Sequence, residues 1–154
     1  MIRVMIKIKI KDLFNHSIEW TVKISKFYAD FSEKCEDVSF RKLLTTMIDQ
    51  EGQYTEYYKE NLAKLNIKSD FSIDESELID FNDYFEDIPD VKEMTKISFL
   101  KKAVHFQGIS IKTCDFLRDL SKTNRGKQIF KELADEESRH MFIFKDHLEL
   151  EELL

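Results

Sequence analysis

Three glycines and one proline in 154 residues leave little of the turn material that a many-stranded sandwich or barrel needs, and they favour long helices. The two cysteines, Cys35 and Cys114, form no CxxC spacing, which excludes a disulfide framework and a zinc ribbon. No run of about 18 apolar residues occurs, so no membrane-spanning helix is expected. A net charge of −6 provides no basic footprint for nucleic acid. The opening residues MIRVMIKIKIK are too short and too charged for the apolar stretch of a signal peptide, so a cytoplasmic protein is expected.

Hydrophobic residues make up 42% and charged residues 35% of the chain, and 13 phenylalanines are available to fill a core. One domain of this size can bury a substantial interior. Residues 1–11 alternate apolar Ile2, Val4, Ile6, Ile8 and Ile10 with Arg3, Lys7, Lys9 and Lys11, the period of a short strand or extended arm. An upstream extension preceding Met5 reads equally plainly.

From residue 12 to 154 the spacing predicts an all-α domain of four long helices. Asp12 is the expected cap of the first, which runs to about Cys35 with Phe14, Ser17, Ile18, Thr21, Ile24, Tyr28 and Phe31 facing inward. The second runs from about Ser39 to Leu65 and presents Phe40, Leu43, Leu44, Met47, Glu51, Tyr54, Tyr58 and Leu62. The third is expected to start at the capping-box pattern Asp90 to Glu93 and to end near Ser121, with Ile97, Leu100, Ala103, Val104, Gln107, Ile111, Cys114 and Leu117 inward. The fourth, from about Arg125 to Leu150, shows Phe130, Leu133, Glu137, His140, Phe144 and Leu148.

Short links near Cys35–Ser39 and Ser121–Arg125 make each pair an antiparallel hairpin, and a long crossover, residues 66–89, joins the pairs. One long crossover is the ferritin-like arrangement of a four-helix bundle. Ser72 to Glu75 is a second capping-box pattern, which places a short helix inside the crossover. From Ser69 to Val91 there are nine acidic residues and no Lys or Arg. This segment reads as a solvated strap pinned by Phe71, Phe81, Tyr84 and Phe85; the alternative is a docking surface for a basic protein partner.

An 86-residue shift aligns the two hairpins without a gap. Ser17-Ile-Glu-Trp-Thr21 falls on Ala103-Val-His-Phe-Gln107, and Asp49 to Tyr54 falls on Asp135 to His140. Glu51 and Glu137 coincide, each inside an otherwise apolar stripe. A buried charge is expensive unless compensated, so two carboxylates at one point of a repeat indicate a site. The template is a carboxylate metal centre with one Glu from each of two helices and Glu-x-x-His from the other two. The i,i+3 spacing brings Glu137 and His140 to one helix face.

The stretch Phe130-Lys-Glu-Leu-Ala-Asp-Glu-Glu-Ser-Arg-His140, with Phe27-Tyr28 and Ala103-Val-His-Phe-Gln107, resembles the rubrerythrin-like branch of the ferritin-like di-iron proteins over roughly Leu13 to Leu150. The resemblance implies a homodimer and a di-iron oxidase or peroxidase centre. Glu51, Glu137 and His140 keep three of the six ligands it implies. Tyr54 stands where the family has His, and Thr21 and Gln107 stand where it has Glu. The four-cysteine iron module of complete rubrerythrins is missing.

Two readings follow. In the first, Glu51, Glu137 and His140 hold one iron or manganese ion, with Tyr54, Gln107 and Thr21 as additional oxygen donors, Glu136 acting from behind, and residual oxygen- or peroxide-linked redox activity. In the second, the metal is gone and the chain is a structural or protein-interaction bundle in which neutral groups hydrogen-bond the remaining carboxylates. His16, His105 and His147 are expected off the site, and Cys35 and Cys114 are expected about 30 Å apart along the helices.

Overall fold

The computed structural model describes residues 3–64 and 70–154, with the side chains of 10, 62–64, 70 and 71 outside the description. The chain is mostly helical. Its order is β1 (Met5–Lys9), α1 (Ile10–Lys34), α2 (Val38–Lys64), β2 (Asp70–Asp74), α3 (Glu75–Asp83), α4 (Lys96–Leu120) and α5 (Asn124–Leu153). None of the described helices is long and apolar enough to cross a membrane.

Short links force α1 against α2 and α4 against α5, and α1 lies against α4 across the pairs. Direction follows from which side chains meet. Phe14 packs on Tyr58 and Phe31 on Phe40, so α1 and α2 run antiparallel. Trp20 reaches Ser110 while Phe31 stacks on Phe99 at 4.1 Å, so α1 and α4 do too.

Helix starts follow local chemistry, with corrections to the expected boundaries. α1 begins at Ile10, two residues before Asp12, because the strand β1 feeds directly into it with Lys9 as an N-cap that makes no side-chain bond. α4 does not begin at Asp90–Glu93. Asp90 instead accepts from the Lys92 backbone in a local turn, and the helix starts at Lys96, where Thr95 and Ser98 bond each other's backbone N–H groups. α3 starts after Asp74, whose carboxylate accepts from Ser76 N–H. The short helix in the crossover is therefore present, with Asp74 rather than Ser72 as its cap.

The crossover also contains a strand that helical periodicity does not predict. β2 pairs antiparallel with β1, placing Met5 opposite Asp74, Ile6 opposite Ile73 and Lys9 opposite Asp70. Ile73 is buried. Lysines on β1 and aspartates on β2 keep opposite charge on the paired backbones, which favours the pairing. Phe81 is fully buried against Phe116 and Phe85, so the crossover is pinned by aromatics as the strap reading expects; Tyr84 and Phe85 are half-buried.

The core divides in two. One apolar cluster holds Trp20, Ile24, Phe27, Tyr28, Phe31, Phe40, Leu44, Met47, Phe99, Phe106 and Phe144. The other holds Leu13, Phe14, Tyr58, Phe81, Cys114, Leu117, Ile129, Phe130 and Leu133. Aromatic pairs of this kind contribute about 0.5–1.5 kcal/mol each beyond area burial. On every long helix the break between the clusters falls at polar positions: Ser17 with Thr21 on α1, Glu51 on α2, Ser110 with Thr113 on α4, one turn beyond Gln107, and Glu137 with His140 on α5. Expected stripe residues Ser17, Ile18, Thr21, Leu43, Tyr54, Ile97, Val104, Ile111 and Leu148 are half-buried. Leu62 and Phe71 lie outside the described side chains, and Ile2 and Leu65 outside the described residues.

Candidate metal site

The polar layer between the two clusters is sealed from solvent. Glu51 and Gln107 are 0% exposed, His140 1% and Glu137 4%. Each stands on a helix whose neighbouring turns are apolar, so burying those turns carries the polar residue inward with them. Ligand atoms of Glu51, Glu137 and His140 lie within 4.8 Å of one another, close enough to share one ion.

Glu51 Oε1 is the hub. His140 Nδ1 lies 2.9 Å from it, and Gln107 Nε2 donates to it at 3.2 Å. Gln107 Nε2 also donates to the Tyr28 hydroxyl at 2.8 Å. The other ring nitrogen of His140 lies 2.7 Å from Gln50 Oε1. A donated Nε2–H there leaves Nδ1 as the nitrogen facing the carboxylates, the usual way a protein orients a ligating imidazole.

Three buried oxygens in this layer have no hydrogen-bond partner among the described residues: Glu51 Oε2, Gln107 Oε1 and Glu137 Oε2. Glu51 Oε2 and Gln107 Oε1 are acceptors, as is Glu137 Oε2 when its carboxyl is ionised, and an unpartnered buried acceptor costs about 1–3 kcal/mol, more when charged. Burial first, then the charge of Glu51 and a hydrogen bond with it, push the Glu137 carboxyl well above the usual carboxylate range. Two facing carboxylates in a buried layer call for a positive charge between them, either a proton or a metal ion. Burial and the nearby Glu51 likewise raise the Tyr28 phenol.

The remaining expected donors are placed differently. Thr21 is half-buried and donates to Ser17 O in its own helix at 3.1 Å. It lines, with Glu137, Ser110 and Cys114, a cavity of about 10 Å³, room for one water molecule. Tyr54 turns its hydroxyl outward, donating to Glu136 Oε2 at 2.7 Å, while its ring lies 5.7 Å from that of His140. Burial and the bond to Glu136 raise the Tyr54 phenol. Gln107 is thus in the layer, Thr21 at its edge and Tyr54 over its mouth. Glu136 is held by Arg139 at 2.7 Å.

Gln50 and Tyr28 enter the site unannounced by the sequence. Tyr28 stands on the expected inward stripe, but only side-chain geometry shows its hydroxyl on Gln107. Gln50 precedes Glu51 and lies off the stripe, so periodicity assigns it to the surface. Its alignment with Glu136 in the repeat is the one available signal.

The other three histidines stay away from the layer. His105 is exposed and bonds Glu86 at 2.8 Å, His16 stacks on Phe85, and His147 packs against Phe40. Cys35 and Cys114 are both free thiols; Cys114 is buried 2.9 Å from the Tyr58 hydroxyl, and burial pushes its thiol upward.

No family model matches the sequence, and no match was found among curated proteins or solved structures.

Proposed function

We propose that the chain is a ferritin-like, rubrerythrin-like four-helix bundle whose polar layer binds a single iron or manganese ion through Glu51, Glu137 and His140. The observation that supports this reading is the set of three buried acceptors without a partner among the described residues, Glu51 Oε2, Gln107 Oε1 and Glu137 Oε2. Two of them belong to Glu51 and Glu137, whose ligand atoms lie with that of His140 within 4.8 Å of one another, and the second nitrogen of His140 is occupied by Gln50. Two carboxylates, one imidazole and an amide oxygen form a hard, mixed oxygen–nitrogen donor set that suits iron or manganese.

Within that reading the chain's own residues have distinct tasks. Glu51 and Glu137 supply the negative charge, and Gln50 orients the His140 ring. Gln107 holds Glu51 in place by an amide N–H and is itself anchored by a second bond to the Tyr28 hydroxyl. When bound, a redox-active ion with open positions supplies Lewis acidity and electron exchange with oxygen or peroxide. The cavity beside Glu137 and Thr21 has room for one water-sized molecule. Two carboxylates and one imidazole are too few donors both to bridge and to complete the coordination of a pair of ions, so one ion per chain is expected.

A second reading, a metal-free structural or interaction bundle, draws on a specific feature. The raised Glu137 carboxyl beside Glu51 lets a proton replace the cation, and Gln107 already hydrogen-bonds Glu51. Titrating metal-free protein with Mn²⁺ and, without air, Fe²⁺ separates the two. One equivalent bound per chain, and none in Glu137→Gln or His140→Ala, supports the metal site. No binding of either ion leaves the metal-free bundle.

A further inference from the structure

Three sides of the polar layer are joined by close backbone approach, α4 to α5, α1 to α2 and α1 to α4, with the water-sized cavity lined by Ser17, Thr21 and Glu137 on the α1 side. The fourth side, between α2 and α5, is held differently. Long polar side chains bridge it in four successive rungs: Gln50 to His140 at 2.7 Å, Tyr54 to Glu136 at 2.7 Å, Tyr57 to Glu132 at 3.3 Å, and Asn61 to Arg125 at 3.4 Å. Positions 50, 54, 57 and 61 trace one stripe of α2, and 140, 136, 132 and 125 trace one stripe of the antiparallel α5. His140 and Asn61, at the two ends of this seam, are buried. Between them Gln50, Tyr54 and Glu136 are half-buried, and Tyr57, Glu132 and Arg125 are exposed.

The physics of the two kinds of side differs. Parting an aromatic interface exposes apolar area and creates a cavity, which costs several kcal/mol per large side chain. Parting a hydrogen-bonded rung lets water take the place of each partner, so the net loss is about 0.5–1.5 kcal/mol per bond. Local opening therefore concentrates in the seam. The innermost rungs are the ones that matter for access. Gln50 sits on His140 itself, and the Tyr54 ring lies over the His140 ring while its hydroxyl is tied to Glu136. Glu136 is in turn held by Arg139.

We propose that the α2–α5 seam is the route by which a hydrated divalent cation reaches Glu51, Glu137 and His140, and that the Tyr54–Glu136 hydrogen bond is the latch that closes it. The proposal rests on the single-metal reading for what passes through, but the opening itself belongs to the protein without metal. Breaking the latch speeds both uptake and release and leaves the equilibrium affinity nearly unchanged, because neither Tyr54 nor Glu136 is among the three ligands.

The test uses the metal-free chain and the acylation of His140 by diethyl pyrocarbonate, followed by peptide mass mapping, with His147 as the internal reference. In Tyr54→Phe and Glu136→Leu, His140 should react about tenfold faster than in the parent, the effect of losing one hydrogen bond to a charged group, while His147 is unchanged. Ser17→Ala, which widens the cavity on the α1 side, should leave His140 at the parent rate. A third variant works in the opposite direction: Tyr54→Cys with Glu136→Cys, in a Cys35→Ser background, bridged by a short bis-maleimide, should protect His140 below the parent rate. Mn²⁺ association, by stopped flow, should follow the same order. Parent-like His140 reactivity in both latch variants, or equal acceleration in Ser17→Ala, overturns the seam as the route. Failure of the parent to bind Mn²⁺ or Fe²⁺ at equilibrium overturns the metal reading alone, because the acylation rates are read without metal.

Discussion

Glu51 and His140, 89 residues apart in the chain, meet at 2.9 Å in a layer where both are essentially without solvent. The contact joins the two halves of the internal repeat. It also organises the layer's hydrogen bonds, since the same Glu51 oxygen meets both His140 and Gln107. Glu51→Ala should therefore destabilise the metal-free protein by about 1–3 kcal/mol for each buried partner it strands, here His140 Nδ1 and Gln107 Nε2. Glu137→Gln should cost far less at neutral pH, because it replaces a carboxyl that burial already disfavours as an anion with a neutral group of the same shape. Urea unfolding of the two variants in the presence of chelator makes the comparison.

The raised Glu137 carboxyl predicts a pH dependence with a definite sign. Its folded pKa lies well above the ordinary value of 4.5, so between those two values the folded state binds a proton that the unfolded chain has lost. The contribution of this group is fully present below the ordinary value and is lost as pH rises through the folded pKa. Stability of the metal-free protein should thus decline from about pH 5 upward on account of Glu137, and Glu137→Gln should flatten that decline. On the single-metal reading, saturating Mn²⁺ should reverse the slope, because a cation competes with the proton for the ionised carboxylate. Chemical denaturation at several pH values, with and without Mn²⁺, checks both expectations.

Three substitutions test the mapping of the repeat onto the proposed metal-site template. Thr21→Glu, Tyr54→His and Gln107→Glu together should lower the thermal midpoint without metal, since buried charge is added with nothing to neutralise it. Excess Fe²⁺ or Mn²⁺ should recover much of the loss by binding only the folded state, and the single variants should recover little. Gln107 already lies in the layer and Thr21 lines a cavity with Glu137. An imidazole replacing the Tyr54 ring must turn inward from the direction that the tyrosine now takes. Thermal melts decide it: a metal-dependent shift equal to that of the parent would sink the mapping.

Gly52 offers a test of the helix itself. It sits in the middle of α2, and a Cβ added there meets nothing within 4 Å. Gly52→Ala should stabilise the protein by about 0.5–1 kcal/mol through helix propensity alone, with no change in metal binding. Denaturant midpoints at constant slope provide the check.

The helix starts can be probed at the corrected position. Thr95→Ala should cost about 1 kcal/mol because it removes the bond to the Ser98 N–H, whereas Glu93→Ala should cost almost nothing. Equal effects would return the start of α4 to the Asp90–Glu93 pattern.

By itself the sequence determined the helices and their inward faces. Three-and-four spacing of Phe, Leu and Ile is a local property, and so is the scarcity of Gly and Pro that lets each long helix run for about seven turns or more. It also determined that Glu51, Glu137 and His140 stand on those faces, because a stripe fixes direction whatever the partner helix is. The helix starts were less legible: several Asp, Ser and Thr positions can each cap a helix, and the surrounding packing chooses among them, as with Thr95 over Asp90.

Tertiary structure decided everything that depends on distance across the fold. The strand β2 exists because β1 lies beside it, although Ile73 alternating with Ser72 and Asp74 carried a weak trace of it. Whether Tyr54 points to the layer or to Glu136, and whether Gln50 is a surface residue or the partner of His140, turns on the wide α2–α5 spacing. Helical periodicity reports which way a side chain leaves its own axis. It carries no information on how far away the next helix stands, and that separation settles which polar atoms are paired and which three oxygens are left without a partner among the described residues.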